Sequence, residues 1–240
     1  MKKYHQASQG PLRTGMNLKT LEDLGEYVTS QQLSESILKT SAGPSLVALK
    51  YSAPTGHTVV MFHNDAHSAA MLASSDWLFV DGTFDTIPQL KVYNKCSRSW
   101  LSKIIPFAWM MLGTKLQEVY EGAIRFFFAQ VAPQFVPRHV MGDYELGMRG
   151  ALQALWPSAN FHGCFFHYYQ ALRKQAIGKK HRLKDLIDHE DGHRRILHKF
   201  MALALLPPTR IEEGLRVLVS AMTDDVGSHW STFVEYYERQ

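Results

Sequence analysis

The stretch Trp77-Leu78-Phe79-Val80-Asp81-Gly82-Thr83 decides the fold class. Its four leading apolar residues lack the alternation of a half-solvated strand. Such a run fits a central strand covered on both faces, and an aspartate and a glycine close it. A carboxylate at the end of a buried strand stands where open sheets flanked by helices place their ligands.

Working outward, a turn around Pro88 leads to Leu90 and Val92 alternating with Gln89, Lys91 and Tyr93, a strand with one wetter face. Lys103 to Leu112 reads as a third, largely apolar strand. The short connections predict an antiparallel meander. Leu116, Val119, Tyr120, Ala123, Ile124 and Phe127 recur at helical spacing and predict a helix over 116–131, closed by Pro133. Arg138 to Gly142 is a short strand that delivers Asp143, Gly147 to Trp156 a helix stopped by Pro157, Asn160 to Gly163 a fifth strand, and Cys164 to Ile177 a further helix. At least two of Phe126, Phe127 and Phe128 are expected in the core.

Upstream, 18–38 has helical apolar spacing, Thr58 to Phe62 reads as a short strand and His67 to Ser74 as a helical turn. Downstream of His181 only helical patterns follow. The expected architecture is an α/β mixed sheet, an antiparallel three-strand meander plus parallel strands, flanked by helices and followed by a helical C-terminal extension. The domains read as a helical N-terminal appendage over 1–58, a core over 59–178 and the extension over 179–240.

The 240 residues are enough to bury a core, and 45% hydrophobic with 20% charged residues excludes a disordered or fibrous chain. A net charge of +4 is compatible with a polyanionic partner without requiring one. Cys96 and Cys164 make no disulfide framework, which points to a reducing compartment, cytosol or nucleus. The apolar runs at 107–112 and 201–206 are too short to span a bilayer, so no membrane is expected.

Asp81 and Asp143 each end a central strand. If those strands are neighbours, their carboxylates converge, and hard oxygen donors suit Mg²⁺ or Mn²⁺. Two such ions can activate water or a 3′-hydroxyl for in-line attack on a phosphodiester. Taken singly, each aspartate reads rather as a turn former or a helix cap; the strand order is what joins them and reverses that preference.

Val80-Asp81-Gly82-Thr83-Phe84, followed by Pro88, resembles the first signature of Mutator-like (MULE) transposases. Gly142-Asp143-Tyr144-Glu145 resembles the second, and Gly163-Cys164-Phe165-Phe166-His167-Tyr168-Tyr169-Gln170-Ala171-Leu172 the third, a Cys-x-x-His element opening a helix. The resemblance spans roughly 76–175. It implies an RNase H-like fold, DDE-type strand cleavage and transfer with a divalent metal, Asp81 and Asp143 as catalytic metal ligands, and a nuclear protein acting on transposon ends and target DNA, with homo-oligomers compatible. In that family a third acid, a glutamate, follows a Thr-Asn-Asn segment, and no such segment occurs here. The chain is therefore expected to stop before it. An inactive or domesticated DNA- or protein-binding derivative is the alternative.

Glu145 is expected in the first turn of its helix, complementing the helix N-terminus, and Glu212 and Glu213 read as solvated. Cys164 and His167 have zinc-type spacing without a second ligand pair. The resemblance implies instead an accessory role near the site, and a packed cysteine is the plain alternative. Arg173, Lys174, Lys179, Lys180, Arg182 and Lys184 form a basic cluster able to neutralise phosphates.

Overall fold

The computed structural model describes residues 20–29, 46–64, 72, 75–83, 89–96 and 103–239. The turn expected over His67 to Ser74 and most of the 18–38 helix lie outside these residues. Two compact units divide after His162.

In the first unit, helix α1 (Leu21–Thr29) precedes strands β1 (Leu46–Ser52), β2 (Thr58–Asn64), β3 (Trp77–Thr83), β4 (Gln89–Cys96) and β5 (Lys103–Leu112). Helix α2 (Gln117–Val131), β6 (His139–Gly142), helix α3 (Leu146–Leu155) and β7 (Asn160–Gly163) follow. The strands form one mixed sheet in the order β1-β2-β5-β4-β3-β6-β7. β3, β4 and β5 are the expected antiparallel meander. β3, β6 and β7 form a parallel portion, each connection passing through a helix.

Two local expectations need correction. β3 does not stop at Asp81: its ladder with β4 continues through Asp81–Lys91, Gly82–Leu90 and Thr83–Gln89, because backbone pairing outlasts the apolar run. Within the stretch expected to be a helical appendage, Leu46–Ser52 is a strand paired with β2 along its whole length. The hairpin closes through Gly56 at φ 80°, a left-handed conformation that glycine adopts without steric cost. α1 is tethered to β1 by Lys50, which contacts Glu22 and Glu26 and holds the Glu22 carboxyl below its ordinary value.

One face of β3 and β6 carries Leu78, Val80 and Val140, which pack into a single cluster with Val119, Tyr120, Ala123, Ile124, Phe127 and Phe128 of α2 and Met148, Ala151 and Leu152 of α3. Phe127 and Phe128 are core residues as expected, and Phe126 packs against the cluster half-buried. Burying a large apolar side chain in this way stabilises by about 1.5–3 kcal/mol, so the i, i+4 apolar stripe of α2 is what clamps that helix to the sheet.

The second unit, from Gly163, is helical: α4 (Phe165–Ile177), α5 (Lys184–His189), α6 (Asp191–Ala202), α7 (Ile211–Ser220) and α8 (Asp224–Glu238). Its own core gathers Leu172, Ala176, Leu197, Phe200, Trp230 and Phe233. Buried Trp230 Nε1–H donates to His193 Nδ1 at 2.9 Å, and His193 Nε2 lies 3.4 Å from Glu190. Accepting from the indole fixes the proton of neutral His193 on Nε2. No helix of the described residues is long and apolar enough to cross a membrane.

Candidate functional site

β3 and β6 are parallel neighbours. Their register pairs Trp77 with His139, Leu78 with Val140 and Phe79 with Met141, a constant offset of 62 (139 − 77, 140 − 78, 141 − 79). Gly142 continues it: a Cβ there would lie 3.5 Å from the Val80 carbonyl oxygen. Asp81 and Asp143 carry the same offset (143 − 81 = 62). Extended past the last paired residues, Phe79 and Met141, this offset puts Asp81 of β3 abreast of Asp143, the first residue after β6. Both are half-buried.

The sequence around Asp143 builds a tight turn. Its Oδ1 accepts from Glu145 N at 2.9 Å, the local bond that lets aspartate shape turns. Glu145 is the N-cap of α3 rather than a first-turn residue: its carboxylate accepts from Gly147 N at 3.1 Å and Met148 N at 2.8 Å. It thus satisfies two of the backbone donors that a helix start leaves open. Gly147 is required by space, since a Cβ would come 2.3 Å from the Lys115 carbonyl oxygen. Tyr120, fully buried on α2, has its phenol pushed well above the ordinary value by burial and then by the charges of Glu145 and Asp143. Asp143 is thus fixed by its turn bond to Glu145 at the capped start of α3.

On the opposite face from Leu78 and Val80, the Trp77 ring stacks on Phe79 with centroids 5.6 Å apart, on His139 at 4.4 Å and on His162 at 4.8 Å. His139 Nδ1 and His162 Nε2 lie 3.1 Å apart. Burial, and then the neighbouring His139, hold His162 below its ordinary value. Three aromatic residues on separate strands meet only once the register is known.

The remaining site residues belong to the second unit. Cys164 is half-buried, carries a free thiol and occupies the N-cap of α4 without capping through its side chain; His167 follows three residues on, half-buried in the first turn. Arg173 is exposed and lies 3.8 Å from Asp188. Lys174, Lys179, Lys180, Arg182 and Lys184 are exposed. Arg182 sits at φ 55°, a left-handed conformation uncommon outside glycine, asparagine and aspartate. This turn directs Arg182 outward while His181 is buried, its Nδ1 3.1 Å from Thr232 Oγ1. Glu212 and Glu213 are exposed on α7, and Glu213 pairs with Arg210 at 2.6 Å.

Among the described residues, no group of three or more His, Cys, Asp or Glu side chains is arranged to hold a metal ion. The two level carboxylates are therefore the hard-donor pair on which a metal reading of the first unit must stand. No protein-family model matches the chain, and no curated protein matches it at a significant level.

Proposed function

We propose that the first unit is the RNase H-like core of a Mutator-like, DDE-type DNA transposase, in which Asp81 and Asp143 hold Mg²⁺ or Mn²⁺ for cleavage and transfer of DNA strands. The observation that carries this reading is the common offset of the two aspartates, Asp81 on β3 and Asp143 just past β6, along parallel neighbouring strands. A meander followed by parallel strands joined through helices, with ligands outside the carboxyl ends of the strands, is the arrangement the reading requires. The donor set fits: magnesium is held through one or two carboxylates, with waters and substrate phosphates completing its shell. Bound there, such ions would activate the attacking oxygen and neutralise the leaving one. The chain's own part is to fix the carboxylates: β3 positions Asp81, and the Glu145-capped start of α3 positions Asp143. The exposed Lys174, Lys179, Lys180 and Arg182 of the second unit supply charge for phosphates without reading sequence.

A second reading, an inactive or domesticated derivative that binds DNA or protein, is favoured by one observation, the lack of a third acid grouped with another His, Cys, Asp or Glu pair among the described residues. The test is nicking of supercoiled DNA in Mg²⁺ and in Mn²⁺. Catalysis predicts metal-dependent nicking that Asp81→Asn and Asp143→Asn each reduce to background. Salt-sensitive DNA binding without nicking favours the binding module, and nicking that survives both substitutions removes the carboxylate assignment.

A further inference from the structure

The His139 and His162 pair is a feature that the carboxylate reading does not use. The hydrogen bond from Asn160 N to the Arg138 carbonyl, 2.8 Å long, sets Asn160 opposite His139 in the parallel pairing of β6 and β7. His162, two residues on, therefore shares the face of His139. Both rings lie against Trp77, and their facing nitrogens are 3.1 Å apart.

That separation has two chemical meanings. It is the length of an N–H···N hydrogen bond between neutral imidazoles. It is also the span between two ligands of one ion: with metal–nitrogen bonds of about 2.0–2.1 Å, ligand angles from a right angle to tetrahedral place the nitrogens roughly 2.9–3.4 Å apart. The ligand type narrows the ion, because imidazole suits zinc, copper and nickel, whereas magnesium and manganese prefer oxygen. The two rings come from neighbouring strands and are backed by an indole, so their mutual geometry is set by the sheet and not by a mobile loop.

We propose that His139 and His162 form an open two-histidine site for a borderline transition-metal ion of the Zn²⁺ or Cu²⁺ class, linking β6 to the short strand β7. Water or an incoming ligand completes the coordination. The site is distinct from the carboxylate pair: Trp77 precedes Asp81 by four residues, about 13 Å along a strand. An ion here staples the two parallel strands and takes no part in phosphodiester chemistry.

The test uses the full chain, stripped with a chelator and then freed of it, titrated with Cu²⁺ while tryptophan emission and heat are followed. The wild type should take up one equivalent that quenches emission and is displaced by Zn²⁺ but not by Mg²⁺. His139→Gln and His162→Gln should each weaken that equivalent by more than ~100-fold, beyond what the loss of an outer-shell supporting contact costs. Trp77→Phe should keep the binding and lose the quenching, and Asp81→Asn should change neither. The Cu²⁺ electron paramagnetic spectrum should show splitting from two imidazole nitrogens. Circular dichroism of each variant checks that it folds, and His139→Asn serves where His139→Gln does not. An unchanged equivalent and spectrum in both histidine variants, quenching that survives Trp77→Phe, or no uptake by the stripped wild type would each overturn the proposal, the last leaving a hydrogen bond only.

Discussion

In the second unit, several buried polar side chains meet partners within that unit: the Trp230 indole donates to His193, His193 faces Glu190, and His181 Nδ1 meets Thr232. The first unit instead carries Asp81 on β3 and Asp143 just past β6 at one common offset, with Glu145 capping the adjoining helix. A buried polar contact that is satisfied in place specifies a core. Carboxylates drawn side by side repel one another unless a cation intervenes, so that arrangement is the one calling for a chemical explanation. The comparison separates a helical unit organised for packing from a sheet unit that carries the candidate carboxylates.

The sharpest way to break this comparison is to empty the helical core. Trp230→Ala should cost about 3–5 kcal/mol, as truncations of large buried aromatics do, and should also leave His193 without its donor. Hydrogen exchange is expected to quicken across α4 to α8. Equal quickening in β3 and β5 would show that the two cores are not energetically separate.

Gly147→Ala probes the sheet unit with a smaller effect. The added Cβ would meet the Lys115 carbonyl at 2.3 Å, and overpacking of this kind costs about 1–3 kcal/mol. The start of α3 should shift, so any metal response that depends on Asp143 should weaken together with the melting temperature. A melting temperature equal to that of the wild type would show that the turn around Asp143 is looser than the structure implies.

The smallest effect is that of pH on the helical unit. Burial, and then Lys180, hold His181 below its ordinary value of 6.5. The unfolded chain therefore binds the proton more readily than the fold does. The contribution of neutral His181 is complete above that ordinary value and is lost as pH falls from it toward the lower folded value. The melting temperature should decline across that window, and His181→Gln should flatten the decline. An unchanged slope would move the effect to other groups.

What the sequence conveyed depended on whether the signal was local. The apolar stripe of α2 and the run from Lys103 to Leu112 are periodic within one element, and the expected bounds agree with the structure to within a residue. β1 was missed because the short apolar run Leu46-Val47-Ala48-Leu49 cannot be told from a helix segment by pattern alone, and its pairing with β2 is what makes it a strand. The extension of β3 through Thr83 likewise comes from β4. Asp81 and Asp143 were legible as candidate carboxylates beside buried strands, but their common offset follows only from the pairing of β3 with β6. Glu145 was read as complementing the helix start by charge, whereas it caps that start with two hydrogen bonds. The Trp77, His139 and His162 cluster joins three separate strands and has no local signature at all.

The most direct test of the central claim is Mn²⁺ binding to the full chain, followed by electron paramagnetic resonance in the wild type and in Asp81→Asn and Asp143→Asn. If the two carboxylates share an ion, either substitution alone should abolish the bound signal, while His139→Gln leaves it intact. A bound signal that survives both aspartate substitutions would contradict the claim and would leave the level register of Asp81 and Asp143 as a feature of the sheet alone.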